Sequence, residues 1–356
     1  MPMVTKAQIE TPALLIDLEK LEVNIKKMSE YFSDKKAKLR PHFKTHKSPM
    51  IAHMQIAAGA KGLTCAKVGE AQVLAAAGIH DILIANQIVD TDKVYRLAGL
   101  AKSARISVCV DNPANVAQLS EAAVTYGSTI YVLVEINVGM NRCGVETKEE
   151  VLALAKQIND SKGLVFEGFQ AYAGNLSHEA DYEIRKKGVQ FAVKKVTDIK
   201  EYVEKNGLSV KEISGAGTGT HNITGNNTIW TEIQAGSYVF MDTDYGRLGL
   251  GFENALTVLA TVIHKRPGVS ITDAGQKVCC KTLGPPIIKN YSGLFAELTE
   301  EHGKIIDEKD ELQYLQKIEY IPSHCCSTAN MHDDYYCVRN GLWEATWPVA
   351  ARGKSR

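Results

Sequence analysis

Short apolar runs alternate with longer segments in which apolar residues recur every three or four positions, from residue 17 to about residue 250. The short runs have the length of buried strands, and the longer segments have the period of helices that pack on one face. Eight strands are predicted in this way: Lys38–His42, Gly62–Cys65, Asp81–Ala85, Arg105–Val110, Thr129–Ile136, Leu164–Tyr172, Lys211–Gly215 and Glu232–Ser237. Eight strands that alternate with helices predict an eight-stranded (β/α) barrel.

The pattern changes after Gly251, where the apolar residues are β-branched or alternate with polar ones. Typical segments are LTVLATVIHKR, GVSITDAGQ, KIEYIPSH and DYYCVRNG, and the turns between them carry Gly, Pro and Asn. Such segments predict strands joined by tight turns. We therefore predict an α/β chain in which a barrel occupies residues 13–250. A mainly β domain occupies residues 251–356, and residues 1–12 join it.

The balance of positive and negative charge argues against a nucleic-acid-binding function. The 356 residues include 41 Lys+Arg and 41 Asp+Glu, so the formal net charge is zero. A chain without a basic surface is not expected to bind nucleic acid. No apolar run approaches the ~18 residues that span a membrane, and the N-terminus lacks the features of a signal sequence. We expect a cytoplasmic protein without membrane contact, in which the scattered cysteines are reduced.

Candidate active-site residues are sought directly after the predicted strands, because barrel enzymes place their active sites at the carboxyl ends of the strands. The first strand leads into RPHFKTHK (40–47), which is either a solvated loop or the site of a lysine suited to Schiff-base formation. Arg142 follows the fifth strand, where it can bind an anion. A Gly/Thr loop (214–220) follows the seventh strand and Gly-Ser-Tyr (236–238) follows the eighth. Backbone N–H groups and hydroxyls in such loops bind phosphate.

A candidate metal pair lies near the C-terminus in PSHCC (322–326). His324 and Cys326 are two residues apart, and in an extended segment such residues project to the same side. An imidazole and a thiolate can then bind one cation, although two ligands alone are a poor metal signal. Cys325 points the other way and is assigned a structural role, as are Cys65, Cys109, Cys279, Cys280 and Cys337.

RPHFKTHK, with TPALLIDLEKLEVNI upstream, resembles the metal-activated pyridoxal-phosphate enzymes of fold type III. This is the family of D-threonine aldolase, 3-hydroxy-D-aspartate aldolase and eukaryotic-type D-serine dehydratase. The motifs INVGMNRCG, FQAYAGNLSH, SGAGTGT, GSYVFMDTDY, ITDAGQK, IPSHCCSTAN and WPVAARG occur in the family's order. The resemblance implies an alanine-racemase-like barrel followed by a β domain. We also expect a homodimer that acts on a small D-amino acid.

The resemblance assigns roles to individual residues. Lys44 forms the Schiff base with pyridoxal phosphate, and nearby Arg40, His46 and Lys47 are expected to favour its neutral amine by like-charge repulsion. Tyr172 is expected beside the pyridoxal ring together with Arg142, although a core tyrosine is the alternative. The phosphate is expected to bind to Gly217, Thr218, Gly219, Thr220, Gly236, Ser237 and Tyr238.

Two further assignments concern the reaction and the metal. His178 is a candidate general base, with a plain surface histidine as the alternative. His324 and Cys326 match the family's metal pair, where the dehydratases resemble HxC and the aldolases resemble HxD. A thiolate favours zinc, whereas a carboxylate suits manganese or magnesium.

Cys326 therefore makes β-elimination of water from a 3-hydroxy D-amino acid the favoured reaction, as in a D-serine or 3-hydroxy-D-aspartate dehydratase. The alternative is retro-aldol cleavage to glycine and an aldehyde, as in a D-threonine or 3-hydroxy-D-aspartate aldolase. An amino-acid racemase is less favoured, because barrel racemases need no HxC pair. A non-catalytic pyridoxal-phosphate binding protein is also less favoured, because such relatives resemble the barrel alone.

Overall fold

The structure is a computed structural model that describes residues 4–356. The chain forms two compact units. The barrel unit comprises Met28–Lys44, Ile51–Gly236 and Gly353–Arg356, and the β unit comprises residues 4–27, Thr45–Met50 and Ser237–Arg352. The chain thus passes from the barrel unit to the β unit after Lys44 and again after Gly236. Residues 1–3, which the sequence division assigned to the β domain, lie outside the described residues.

The strands are numbered along the chain. Strand β1 (Ala13–Asp17) belongs to the β unit, and the next eight strands form the parallel sheet of the barrel unit. These are β2 (Lys38–Leu39), β3 (Leu63–Cys65), β4 (Asp81–Gln87), β5 (Arg105–Val110), β6 (Ile130–Glu135), β7 (Leu164–Ala171), β8 (Glu212–Gly215) and β9 (Glu232–Ile233).

The barrel sheet runs in the order β2-β9-β8-β7-β6-β5-β4-β3. A parallel bridge between His42 and Thr64 connects its two ends, so the sheet closes on itself. Each predicted strand overlaps one of the eight, and most of the apolar residues in these strands are buried. The prediction of an eight-stranded barrel is confirmed.

Helices separate the barrel strands, and their sequence boundaries explain where they begin and end. In the helix that begins at Lys148, the Thr147 hydroxyl accepts a hydrogen bond from the Glu150 N–H, and the Glu150 carboxylate accepts one from the Thr147 N–H. The helix that begins at Pro113 ends at Tyr126 and is followed by Gly127, whose positive φ of 60° favours glycine. The α-helices are α1 (Leu18–Ser33), α2 (Pro49–Ala57), α3 (Val68–Ala76), α4 (Thr91–Leu100), α5 (Pro113–Tyr126), α6 (Lys148–Asp160), α7 (Tyr182–Lys205), α8 (His221–Thr224), α9 (Thr243–Gly246) and α10 (Cys325–Ala329). Within residues 4–356, no helix is long and apolar enough to cross a membrane.

The β unit contains the remaining strands and a mainly antiparallel sheet. Strand β1 pairs antiparallel with the strand Leu256–Arg266 and parallel with the strand Asp334–Arg339. The sequence division placed β1 with the barrel segment, because a short apolar run does not reveal which sheet it joins. The strands after β9 are β10 (Leu256–Arg266), β11 (Val269–Thr272), β12 (Ile287–Ile288), β13 (Ala296–Leu298), β14 (Gly303–Ile306), β15 (Lys317–Ile321), β16 (Asp334–Arg339) and β17 (Leu342–Pro348). The prediction of a mainly β second part is confirmed.

The amino end of the barrel carries a network of ion pairs. Arg40 is 2% exposed, and its guanidinium lies 2.8 Å from carboxylate oxygens of both Glu232 and Asp81, the first residues of β9 and β4. Lys61 Nζ lies 2.7 Å from Glu232 and 2.5 Å from Glu212. Burial raises the pKa of Glu232, but the positive charges of Arg40 and Lys61 outweigh it and lower the pKa to about 2. The buried carboxylate is therefore ionised at neutral pH.

We expect Glu232→Gln to lower the free energy of unfolding by about 3 kcal/mol, because it leaves buried Arg40 with one charged partner fewer. The exposed variant Glu204→Gln, which removes a partner of Lys200 on α7, is the control, and its expected effect is below about 0.5 kcal/mol. Urea titration of both variants measures the difference.

The same ion pair predicts that the stability of the folded protein depends on pH. The pKa of Glu232 is lowered from 4.5 to about 2 in the folded protein. Its stabilising contribution is therefore complete above the unfolded pKa and is lost as the pH falls from 4.5 towards 2. The Gln variant should lack this part of the acid sensitivity, and equal acid sensitivity in the two proteins would contradict the role of the pair.

Candidate active site

The predicted site residues of the barrel unit follow the carboxyl ends of its strands. Lys44 lies in the short 3-10 helix Phe43–Thr45 after β2, and Arg142 follows β6. Tyr172 follows β7, and the Gly/Thr loop follows β8. Because these strands are parallel, their carboxyl ends lie at the same end of the barrel. This is the end at which barrel enzymes bind their substrates.

The Gly/Thr loop is packed directly against the turn that contains Ser177. A Cβ atom on Gly219 would lie 2.0 Å from the carbonyl oxygen of Ser177, and one on Gly217 would lie 3.3 Å from the Ser177 hydroxyl. Thr218 and Thr220 are each 2% exposed. The sequence explained these glycines by close approach of a phosphate. The structure adds a second reason for Gly219, which is close approach of the chain's own backbone.

Tyr172 connects this loop with Arg142. Its hydroxyl lies 3.3 Å from the Ser177 hydroxyl, and its ring lies 3.7 Å from the Cβ position of Gly217. The Arg142 guanidinium lies 5.7 Å from the centroid of the same ring, which is within cation–π range. Arg142, Tyr172 and the Gly/Thr loop are therefore brought together. Tyr172 is half-buried and its hydroxyl has a partner, so its place beside the cofactor ring stays a prediction.

The two lysines of RPHFKTHK have different surroundings. Lys44 is exposed, whereas Lys47 is buried and donates a 2.7 Å hydrogen bond from Nζ to Asn330 Oδ1. Arg40 was expected to help keep the Lys44 amine neutral. Its charge is instead matched by carboxylates at the amino end of the barrel, so Arg40 does not favour the neutral amine of Lys44. The exposed side chain favours Lys44 over Lys47 for reaction with a carbonyl compound.

The structure places the remaining predicted residues without assigning their roles. His178 is half-buried, and its role as a general base stays a prediction. Gly236 is the last residue of its barrel segment, directly before the short 3-10 helix Ser237–Val239 of the β unit. Tyr238 in that helix is fully buried. The binding of phosphate by this Gly-Ser-Tyr segment also stays a prediction.

His324 and Cys326 meet at the junction between an extended residue and a helix. The prediction assumed an extended segment, but only His324 is extended, whereas Cys326 lies in the first turn of α10. The Ser327 hydroxyl lies 3.1 Å from His324 Nδ1. The carboxylate of Asp242 accepts a 2.9 Å hydrogen bond from the Cys325 N–H and thus holds the start of the helix. The pair is therefore formed by a helix start rather than by strand alternation.

The two side chains stabilise each other's charged forms. Contacts with the Cys325 thiol and with His324 lower the pKa of Cys326 well below that of an ordinary thiol, although burial opposes the shift. Interaction with Cys326 raises the pKa of His324 to about 9, again against burial. A cation can take the place of the imidazole proton and satisfy the same thiolate.

The donor set fits a divalent metal. Among the described residues, no three His, Cys, Asp or Glu side chains are grouped so as to hold an ion. His324 and Cys326 supply two of the ligand types that zinc prefers, one fewer than a typical catalytic zinc site has. Water or substrate would have to fill the other positions.

Sequence reasoning missed three polar residues that contact predicted site residues, Thr45, Ser177 and Ser327, and a fourth, Asp242, that binds the Cys325 N–H between His324 and Cys326. Three of them had a usable signal. Thr45 lies within RPHFKTHK, Ser177 lies in the same motif as Tyr172, and Ser327 follows His324 by three residues at the start of a helix, where the two side chains can meet. No sequence pattern connects Asp242 with the Cys325 N–H, so only the fold reveals that contact.

Comparison with known proteins decides the family. Residues 16–244 match the family described as alanine racemase, N-terminal domain, and residues 255–338 match the putative serine dehydratase domain. The chain belongs to this alanine-racemase-like family. It is 41% identical to a D-threonine aldolase of an Arthrobacter species, over 98% of this chain and 94% of the relative. It is 38% identical to a 3-hydroxy-D-aspartate aldolase of Paracoccus denitrificans, over 99% of this chain and 95% of the relative.

Comparison with solved structures supports the same family. The crystal structure of D-threonine aldolase from Filomicrobium marinum matches with a TM-score of 0.96 and 39% identity, over 99% of this chain and 98% of that one. A D-threo-3-hydroxyaspartate dehydratase of a Delftia species is more distant, at 26% identity over 96% of this chain and 98% of the relative. Aldolases and dehydratases are both lyases, so the predictions of the family, the fold and the lyase class are confirmed. Pyridoxal phosphate is the cofactor of the fold type III enzymes of this family.

Proposed function

We propose that the chain is an aldolase that cleaves D-3-hydroxy amino acids into glycine and an aldehyde, with pyridoxal phosphate and a divalent metal. The observation that supports it is similarity along almost the whole chain to aldolases at 38% and 41% identity, against 26% for the dehydratase. The sequence favoured elimination of water on the strength of Cys326 alone. The comparisons favour the alternative that it left open.

The residues of the barrel unit fit the cofactor. The exposed Lys44 amine would hold its aldehyde carbon, the Gly217–Thr220 loop its phosphate, and Arg142 with Tyr172 would lie beside its ring. When bound, the cofactor withdraws electrons from the bonds at the substrate's Cα. Backbone N–H groups and the two threonine hydroxyls of the loop are donors that suit a phosphate.

The metal is assigned to His324 and Cys326 of the β unit. When bound, a divalent cation supplies Lewis-acid chemistry at the substrate's hydroxyl group. A thiolate and an imidazole together suit zinc better than magnesium or manganese. A mutant of D-threo-3-hydroxyaspartate dehydratase, at 25% identity, has been solved in the metal-free form, which is consistent with a metal in this family.

The reaction is decided by which proton a protein base removes. Retro-aldol cleavage requires a base at the β-hydroxyl: the O–H proton leaves, the Cα–Cβ bond breaks, and the aldehyde departs. The glycine Cα then takes up a proton. His178, a half-buried imidazole in the segment after β7, is the base that the proposal assigns to the hydroxyl. Elimination would instead require removal of the α-proton, for which Lys44 is the candidate.

Gly219→Ala is expected to weaken cofactor retention by about 1–3 kcal/mol, because the added Cβ would meet the Ser177 carbonyl oxygen and displace the loop. Gly246→Ala is the matched control, since a Cβ there has no atom within 4 Å among the described residues. Titration of the cofactor-free proteins with pyridoxal phosphate gives both dissociation constants. Equal affinity in the two variants would place the phosphate away from this loop.

The proposed activity is tested by incubation with D-threonine, L-threonine, D-serine and 3-hydroxy-D-aspartate, followed by assays for glycine and for keto acid. We expect glycine from D-threonine or from 3-hydroxy-D-aspartate and none from L-threonine. A keto acid without glycine would restore the dehydratase interpretation. Racemised amino acid as the product would exclude both lyase reactions.

A further inference from the structure

Two hydroxyl groups from distant parts of the chain contact the sulfur of Cys326. Thr45 Oγ1 lies 3.3 Å from Cys326 Sγ, and Ser237 Oγ lies 3.5 Å from it. Both hydroxyl residues are buried: Thr45 is 1% exposed and Ser237 is 7% exposed. All three residues belong to the β unit. Thr45 makes the shorter of the two hydroxyl contacts with the sulfur.

The segment that carries Thr45 is anchored through its backbone. The Tyr335 hydroxyl donates a 2.6 Å hydrogen bond to the His46 carbonyl, and the Ala351 N–H donates one of 3.0 Å to the Lys47 carbonyl. Lys47 has a φ of 52°, which is unfavourable for a residue with a side chain and requires support from its surroundings. The segment is therefore held in one conformation, and the Thr45 hydroxyl has a fixed position.

A hydroxyl in this position affects the sulfur in two ways. In the structure the Cys326 S–H donates to the Thr45 oxygen. Once the thiol proton is lost, a turn of the Thr45 O–H lets this hydroxyl donate to the sulfur and stabilise its charge. The hydrogen bond also selects one orientation of the Cys326 side chain, so less conformational freedom is lost when a cation binds. Ser327 contacts His324 at Nδ1 in a comparable way, which leaves Nε2 for a cation.

We infer that Thr45 is a positioning residue for the metal: its hydroxyl holds the Cys326 thiolate in the orientation that binds the cation. The inference rests on the proposed function, because it takes Cys326 as a ligand. Thr45 follows Lys44 directly in the chain. One short segment thus supplies the proposed cofactor lysine and the residue that orients the proposed metal ligand.

The test compares three variants of the holoenzyme loaded with Co²⁺ as the probe. Thr45→Val keeps the shape and removes the hydroxyl, Thr45→Ser keeps the hydroxyl, and Ser48→Ala is the matched control. The Ser48 hydroxyl is buried in the same segment without a hydrogen-bond partner among the described residues. Two readouts are independent of turnover: the near-ultraviolet charge-transfer band of a thiolate bound to Co²⁺, taken as a difference from the Zn²⁺-loaded protein, and the Co²⁺ dissociation constant from chelator competition.

We expect Thr45→Val to bind Co²⁺ about 10- to 100-fold more weakly, with a shifted charge-transfer band, because outer partners of metal ligands have effects of this size. Thr45→Ser and Ser48→Ala should keep both the affinity and the band of the unaltered protein. If the valine variant does not fold, Thr45→Ala removes the same hydroxyl and replaces it in the comparison.

Three results would overturn the inference. Unchanged affinity in Thr45→Val, with the band present, would show that Thr45 does not position the thiolate, while the proposed function would stand. A serine variant as weak as the valine variant would show that shape rather than the hydroxyl matters. Absence of the band from the unaltered protein would remove Cys326 as a ligand, and with it the metal assignment of the proposed function.

Discussion

In a Lys44→Ala variant, we expect lyase activity to fall by about 10³-fold or more, and the visible absorption of bound pyridoxal phosphate to be lost. The variant removes the group that the proposal gives for covalent attachment of the cofactor. The exposed amine of Lys44 follows the carboxyl end of β2, at the end of the barrel where substrates bind. Absorbance spectra after addition of the cofactor, together with glycine assays, measure both effects.

Lys47→Ala is the control, because Lys47 lies three residues further on and its Nζ is hydrogen-bonded to Asn330. This variant should retain the visible absorption. Borohydride reduction followed by peptide mass spectrometry should place the cofactor on Lys44 in the unaltered protein. A label on Lys47, or retention of the absorption in Lys44→Ala, would contradict the assignment.

Removal of the metal is expected to stop the reaction without releasing the cofactor, because different residues are proposed to hold the two. Chelation should abolish glycine formation while the visible absorption remains. Cys326→Ala should lower activity more than about 100-fold at limiting zinc, since it leaves His324 as the single assigned ligand. Cys337→Ala, which removes a buried thiol from β16, should have no such effect.

Cys326→Asp tests the role of the thiolate more finely. It introduces the HxD pair that the family resemblance associates with aldolases. We therefore expect the preferred metal to shift from zinc towards manganese or magnesium. We also expect the products to remain glycine and an aldehyde. Unaltered metal preference would indicate that Cys326 is not a ligand, whereas a change of product from glycine to keto acid would show that this residue influences the reaction.

The sequence predicted the barrel strands because each is an apolar run followed by helical periodicity. Arg105–Val110, for example, is almost entirely buried, so its local pattern agrees with its place in the fold. The pattern did not assign Ala13–Asp17 to a sheet. Its partners β10 and β16 lie more than two hundred residues further along the chain, and no local signal carries that information.

The sequence provides candidate site residues, but it does not predict their electrostatic surroundings. Arg40 lies in the same motif as Lys44, yet its guanidinium pairs with Glu232 and Asp81 at the amino end of the barrel. Likewise, the HxC pattern predicted His324 and Cys326 as a metal pair, but the hydroxyl of Thr45 that contacts the sulfur comes from a segment almost three hundred residues earlier. Side-chain direction and long-range pairing depend on packing, which the sequence pattern does not specify.

The proposed function is tested most sharply by the product mixture formed from 3-hydroxy-D-aspartate, because this substrate can react by either route. Retro-aldol cleavage gives glycine and glyoxylate in equal amounts, whereas elimination of water and hydrolysis give oxaloacetate and ammonia. Quantifying glycine and ammonia in one reaction of the zinc-loaded holoenzyme separates the two. We predict one glycine per substrate consumed and no ammonia. Ammonia in place of glycine would contradict the proposal and show that Cys326 marks a dehydratase.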